Sequence, residues 1–496
     1  MSEAAQFPRQ PTEPVLLSQI CDLLSVPRVA GSVTGVTLAS TSAQPGDLYA
    51  ALPGAKTHGA RFAGQAVEAG AAAVLTDPEG ARIVGDPGVP VLIHDAPRAN
   101  LGAVSALIYG HPAEALTTFG VTGTNGKTTV TYMLASALEA LGVPTGLIGT
   151  TGTYMGGRRL PTQRTTPEAP DVQALMHQMR EEGARALAME VSSHALVLGR
   201  VDAITFDVAG FTNLSPDHLD FHTDMNDYFE AKARLFTTER CRRAVINIDD
   251  QWGRRLARTT DVEHQTYAVD TSADWTVRDV RATAAGSTFE VVHGDARVPV
   301  TVGSPGLFNV ANALGALSML VSAGHPLDAA ASALGDFRGV PGRMEVVPGP
   351  GPTVIVDYAH TPDAVERALR AIVPLTPGKI WCVIGCGGDR DVVKRPVMGR
   401  LAAQLSQHVI VTDDNPRSED PAAIRAAVLA GARAGAAQIV EIGDRAAAIE
   451  TAVAAAQVGD SVVILGKGHE TGQEVAGVVY PFDDRQVARQ ALEVRR

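Results

Sequence analysis

The run Thr122-Gly123-Thr124-Asn125-Gly126-Lys127-Thr128-Thr129 constrains this chain more than any other stretch, because it reads as a phosphate-binding loop. The apolar segment 116–121 before it reads as a buried strand, and 130–141 after it as a helix. Glycines let the backbone aim N–H groups at an anion, and the helix N-terminus adds the positive end of its dipole. Lys127 then reaches the β- and γ-phosphates, and the Thr128 hydroxyl is placed to ligate Mg²⁺. The general pattern asks for glycine where this chain has Val121, a departure that the strand–loop–helix setting offsets. A glycine-rich turn between core elements would explain the glycines but not a lysine followed by two threonines. Gly123, Thr124, Asn125, Gly126, Lys127, Thr128 and Thr129 are the expected contacts of a nucleoside triphosphate.

At 496 residues the chain exceeds one ordinary core, and about 150 residues per domain suggests three. Forty-two basic against 54 acidic residues leave a net charge of −12, which disfavours nucleic-acid and anionic-membrane partners. Any anionic substrate must therefore be held by local basic groups. The N-terminus lacks the basic and apolar regions of a secretory signal, and no apolar run approaches the ~20 residues of a membrane helix. Four cysteines are few for this length and fit a reducing cytosol. Cys382 and Cys386 have no second Cys/His pair nearby and read as ordinary buried thiols.

Pattern changes divide the chain into 1–113, 114–340 and 341–496. The first section is a small α/β unit with a helix-like stretch over 62–73, ending near His111-Pro112. The second alternates strands (145–148, 186–190, 207–211, 243–248) with helices, which predicts a doubly wound, mostly parallel sheet. After a Gly/Pro cluster the third section repeats that pattern with strands at 353–356, 380–384, 408–412, 438–442 and 461–465, and reads as Rossmann-like. The fold class is α/β in three domains.

Glu190 ends an apolar strand, where doubly wound sheets place their ligands, and could complete a Mg²⁺ shell begun by Thr128. Taken alone it reads equally well as a solvated acid at a strand end. His218 alone is a loop histidine, and Lys232 alone a solvated helix lysine. Order changes that reading. Gly-Thr-Asn-Gly-Lys-Thr-Thr, Glu190-Val-Ser-Ser-His, Asn213-Leu-Ser-Pro-Asp-His-Leu-Asp and Ala231-Lys-Ala-Arg-Leu-Phe together resemble the Mur ligase family of peptidoglycan biosynthesis. Phe308-Asn-Val-Ala-Asn, Gly342-Arg-Met-Glu and Asp357-Tyr-Ala-His-Thr-Pro continue the match across nearly the whole chain. The resemblance is nearest to the members that add the third residue of the stem peptide.

That resemblance implies one domain for the UDP end of the substrate, one for ATP and one for the incoming amino acid. Lys232 matches a lysine that is carbamylated to N6-carboxylysine, and with His218, Glu190 and Thr128 it would ligate Mg²⁺. Lys127, Lys232, His218 and Glu190 are thus the expected catalytic set. Asn309 matches an adenine contact, and Asp357 and His360 fall in a nucleotide-contacting segment. Thr165, Thr166, Ser192 and Arg200 match positions that hold the acyl-muramoyl-peptide. At the uridine end the family's usual Asp-Ser-Arg reads Ala39-Ser40-Thr41, so only Leu38 and Ser40 carry over; a position often held by Gln is Leu198.

Asp414-Asn415-Pro416-Arg417 is, by itself, an Asn-Pro turn after a strand. In tripeptide-forming members it resembles the signature for diaminopimelate rather than lysine. Diaminopimelate carries a distal carboxylate that a guanidinium fork can pair bidentately. Lysine would leave the arginine unpaired, a discrimination of about 3 kcal/mol or more. Arg390, Gly466 and Glu470 match the remaining amino-acid contacts. The reaction implied is ATP-dependent joining of meso-diaminopimelate to the D-Glu γ-carboxylate of UDP-MurNAc-L-Ala-D-Glu through an acyl phosphate, by a cytoplasmic monomer. Three alternatives stay open on the sequence: the same ligase using lysine, a folylpolyglutamate synthetase-like ligase, and a regulatory NTPase without ligase activity.

Overall fold

A computed structural model of the chain describes residues 9–54, 57–160, 162, 164–217, 221–283 and 286–495. The strand Thr117–Thr122 runs into the phosphate loop, and the helix Lys127–Ala140 leaves it. That strand lies within an eleven-stranded sheet, flanked on its two sides by Ala186–Glu190 and Phe206–Phe211, both parallel to it. Thr145–Gly149 and Cys241–Asn247 extend the parallel ladder. These strands are near-continuous apolar runs because both faces are covered. Ala186 and Ala188 pack toward Met133, Leu134 and Leu314, whereas Leu187 and Met189 pack toward Val172, Leu175 and Met179. A doubly wound core follows from that alternation.

The sequence reading omitted the far edge of this sheet. Trp275–Thr283, Gly286–His293 and Ala296–Val302 form an antiparallel meander there. In Ala296–Val302 the residues from Val298 alternate buried and exposed, which fits a sheet packed on one face only.

Ahead of the central sheet, Gly35–Thr37, Asp47–Ala51, Ala73–Thr76 and Val91–Ile93 make a four-stranded parallel sheet. The helix expected over 62–73 is only Ala63–Glu68. Alanine's helix preference yields to burial of Ala73, Val74 and Leu75 inside the sheet. In the third domain Thr353–Asp357, Ser461–Leu465, Ile380–Ile384, His408–Val411 and Gln438–Glu441 run parallel, with Glu345–Val347 antiparallel at one edge. The four cysteines are buried free thiols. Among the described residues no helix is long and apolar enough to cross a membrane.

Candidate active site

The phosphate loop turns on Gly126, whose φ of 89° is left-handed and whose absent side chain leaves room for Asn312 Oδ1, 2.4 Å from where a Cβ would sit. Asn312 Nδ2 donates to Asn309 Oδ1 at 3.1 Å, and Asn309 Nδ2 to Ser304 Oγ and the Pro305 carbonyl, each at 2.7 Å. Asn309 is thereby linked to the loop through Asn312, both on the helix Leu307–Ser322.

Two amines converge on one carbonyl. Lys127 Nζ donates to the Gly123 and Thr124 carbonyls, both at 2.9 Å, and Lys232 Nζ donates to the same Gly123 oxygen at 2.8 Å. Lys232 is 1% exposed, on the last turn of the helix Met225–Ala233, with its Nζ 4.6 Å from the Tyr228 ring centroid. Burial, then the Lys127 charge, holds its pKa well below the ordinary lysine value. Lys127 is lowered by burial and partly restored by the charges of Glu190 and Asp217.

Glu190, fully buried at its strand end, accepts from the Thr150 N–H at 2.7 Å on Oε1 and from the Thr150 hydroxyl at 3.1 Å on Oε2. Thr150 Oγ1 lies 3.1 Å from Thr165 Oγ1. Thr166 donates to the Glu190 carbonyl at 2.8 Å and accepts from the Ser192 N–H at 3.2 Å, and Arg200 donates to the Thr166 carbonyl at 3.1 Å. Thr165, Thr166, Ser192 and Arg200 are thus gathered around Glu190. Leu38 and Ser40 instead line a cavity of about 600 Å³ whose wall also carries Arg9, Arg98, Arg164 and Glu168. Glu168 pairs with Arg200 at 2.8 Å and bridges the two groups.

The C-terminal ends of the third sheet meet this loop. The Asp217 charge acts on Lys127, Lys232 and His360 alike. Arg343, whose guanidinium stacks 4.3 Å from the Tyr358 ring centroid, reaches 3.5 Å from Thr128 Oγ1. Asp363 accepts from Asn125 Nδ2 at 2.8 Å. The Asp357 carboxylate accepts from the Met344 and Ala359 N–H groups at 2.7 and 2.8 Å, and burial raises its pKa.

Beyond the third-sheet strands, Asn415 Nδ2 donates to Glu470 Oε2 at 2.8 Å, and Lys467 Nζ donates to Asn415 Oδ1 and Glu470 Oε2, both at 3.0 Å. Gly466 abuts Asp414, whose Oδ2 lies 2.3 Å from where a Cβ would be. Arg417, at φ 53°, donates from one guanidinium nitrogen to the Gly388 carbonyl at 2.7 Å. The Pro416 carbonyl accepts from the Glu419 N–H at 3.1 Å. Arg390 is exposed and donates to the neighbouring Asp389 carbonyl, so it is not tied into this network. His218 lies outside the described residues. Among the described residues no three His, Cys, Asp or Glu side chains form a ready metal cluster. The oxygen donors at hand are Thr128 and Glu190, to which a carboxylated Lys232 would add a third.

Sequence reasoning missed Arg343, Asp363, Lys467 and Arg9. Arg343 stood inside a quoted motif without a role, Lys467 lies between the named Gly466 and Glu470, and Asp363 directly follows His360-Thr361-Pro362. Arg9, which pairs with Asp47 at 2.6 Å on the cavity wall, carried no sequence signal.

Three family models match: the Mur ligase family catalytic domain over 32–109, the Mur ligase middle domain over 121–320, and the Mur ligase glutamate ligase domain over 342–468. The UDP-N-acetylmuramoyl-L-alanyl-D-glutamate–2,6-diaminopimelate ligase of Streptomyces coelicolor is 51% identical over 490 residues, covering 96% of both chains. The same-named protein of Streptomyces avermitilis is 51% identical over 480 residues, covering 95% of this chain and 94% of its own. A solved structure of a ligase with that name superposes with a TM-score of 0.70 at 33% identity, covering 97% of this chain and 99% of its own.

Proposed function

Because the chain belongs to the Mur ligase family, whose members are ATP-dependent amino-acid ligases, we propose that it joins 2,6-diaminopimelate to the D-Glu γ-carboxylate of UDP-MurNAc-L-Ala-D-Glu. The observation that carries this reading is the meeting, at their carboxyl ends, of the parallel strands of two mixed sheets. One end brings a phosphate loop, and the other a fork-bearing Arg417 beside the Asn415–Glu470–Lys467 network. Open α/β sheets bind ligands at such ends. Relatives that match over nearly the whole chain, and a family model matched over 32–109, favour this over a folylpolyglutamate synthetase-like ligase.

A carboxylate is a poor electrophile, so the γ-carboxylate must first take the γ-phosphoryl group of ATP. Lys127 and the N-terminus of its helix balance the charge spread over the transferring oxygens, with Arg343 entering from the third domain. Thr165, Thr166, Ser192 and Arg200 hold the acyl substrate beside Glu190, and the 600 Å³ cavity takes its uridine end at Leu38 and Ser40. The Arg417 fork and Glu470 grip the distal carboxylate and ammonium of diaminopimelate, leaving its other amine to attack the acyl phosphate. Phosphate leaves and an amide remains. Asn309, Asp357 and His360 contribute the nucleotide side, and Arg390 a rim contact for the amino acid. Mg²⁺ suits the oxygen donors Thr128, Glu190 and a carboxylated Lys232, with His218 as a further candidate, and when bound it would neutralise phosphate charge. A net charge of −12 supports small-molecule substrates rather than nucleic acid or a membrane surface, and the reading extends to a cytoplasmic monomer.

Gly149→Ala tests the importance of the Glu190 position. An added Cβ would press on Glu190 Oε1, so the buried carboxylate must shift against its Thr150 partners. Overpacking of this kind costs about 1–3 kcal/mol. A Tm lowered by several degrees and turnover lowered at least about tenfold are expected. Unchanged turnover would separate the carboxylate from the chemistry.

The reading as a whole is tested by ATP-dependent phosphate release with UDP-MurNAc-L-Ala-D-Glu present, comparing diaminopimelate with L-lysine. Turnover with diaminopimelate alone is expected. Turnover with lysine would overturn the amino-acid assignment, and phosphate release needing no amino acid would favour a regulatory NTPase.

A further inference from the structure

We propose that Asp363 is an interdomain positioning residue, through which the seating of the third domain sets the phosphate loop and the loop carrying Asp217. The inference rests on the reading of that loop as the ATP site. Asp363 lies in the first turn of the helix Pro362–Ile372, where an acid complements the helix dipole, and Thr361 caps that helix by accepting from the Ala364 N–H at 3.3 Å. One carboxylate oxygen, Oδ2, accepts from both Asn125 Nδ2 at 2.8 Å and Ser215 Oγ at 3.0 Å. Arg367 Nε faces the same carboxylate, 3.1 Å from Oδ1 and 3.0 Å from Oδ2. A single oxygen of the third domain thus holds two separate loops of the central one.

Neither loop needs this contact for its own shape. The Asn125 N–H already donates to Asn213 Oδ1 at 3.0 Å, and its carbonyl accepts from Thr212 Oγ1 at 2.6 Å and Asn213 Nδ2 at 3.0 Å. Ser215 is fastened by its N–H and carbonyl to Thr124 Oγ1, at 3.0 and 3.1 Å. The Asn125 and Ser215 side chains both reach across to the third domain and meet the same carboxylate, beside the separate approach of Arg343 to Thr128. The turn that carries Asp363 follows directly on His360, which shares the field of Asp217 with Lys127. Hydrogen bonds to an ionised acceptor are about twice as strong as neutral ones, so this contact is suited to report whether the two domains are engaged.

The test is steady-state kinetics on Asp363→Ala, Asp363→Asn and a double-mutant cycle, run with whichever amino acid supports wild-type turnover. Asp363→Ala is expected to lower kcat about tenfold or more and raise the KM for ATP. The KM for the amino acid should stay within about twofold, since its pocket is untouched. Asp363→Asn, which keeps an acceptor without the charge, should fall between. In an Asn125→Ala/Ser215→Ala background the effect of Asp363→Ala should vanish, because its partners are gone. An equal loss in both backgrounds, or a lowered Tm with unchanged kcat, overturns the proposal. Absence of wild-type turnover with any amino acid would instead strike the reading of the site on which it rests.

Discussion

Lys232→Met is expected to lose about 10³-fold in turnover while its Tm stays level or rises. The two readouts part because the lysine is a poor structural choice where it stands. Its amine is buried beside a second amine, so the charged form is disfavoured by lost hydration and by Lys127 together. The Gly123 carbonyl that it serves keeps Lys127 as a donor after the substitution. A methionine of similar length fills the space without a polar atom, which is neutral or favourable for folding.

The same physics argues for carboxylation. CO₂ reacts with a neutral amine, and depression of the pKa keeps Lys232 neutral at pH values where an exposed lysine is charged. The product is an anion, so the neighbouring Lys127 charge, which opposes an ammonium there, supports a carbamate. As pH falls through the depressed value, the amine charges. Uptake of CO₂ then declines, and so does the stability of the fold, since the unfolded chain holds that proton more readily. ¹³C-bicarbonate should give a carbamate resonance in the wild type that Lys232→Met lacks. Lys232→Ala should recover part of its turnover when a short-chain carboxylic acid is added. Lys232→Met turning over at the wild-type rate would sink the role.

Legibility in the sequence tracked how local each feature was. Ala186–Glu190, Ile380–Ile384 and Ser461–Leu465 are read at the bounds observed, because strands buried on both faces are unbroken apolar runs ended by polar residues. The meander from Trp275 to Val302 was hidden, since its half-exposed strands carry charges such as Arg278 and Glu290 that blur an apolar signal. The site divides the same way. The phosphate loop, Glu190 and Lys232 announce themselves by motif and by order. Asp363 and Arg9 meet partners far off in the chain, Asn125 and Asp47 among them, and no local pattern encodes such a meeting. Lys467 lies between; it stands among the named Gly466 and Glu470, but its bond to Asn415 depends on two loops converging.

Arg417→Ala should lower kcat/KM for diaminopimelate by about 10²–10³-fold while leaving the KM for ATP unchanged, because a charge-assisted pair to a carboxylate is worth about 2–5 kcal/mol when one partner is removed. The structure prepares this side chain at some cost. Its backbone is held at φ 53° by the Arg417 N–H donating to the Glu474 carbonyl at 3.0 Å and the Ala476 N–H donating to the Arg417 carbonyl at 2.7 Å. A left-handed conformation costs a residue with a Cβ roughly 1–2 kcal/mol, so the chain tolerates strain to aim this arginine. Strain also supplies the control. Arg417→Gly relieves the backbone and removes the fork, so a kinetic loss as large as that of alanine assigns the effect to the guanidinium. Recovery in the glycine variant would assign it to the turn. Arg417→Lys keeps one positive charge but not two parallel donors, and should remain well below wild type. Activity toward L-lysine, which has no distal carboxylate to pair, should fall far less in all three variants. Equal losses for both amino acids would mean that Arg417 shapes the pocket without reading the carboxylate.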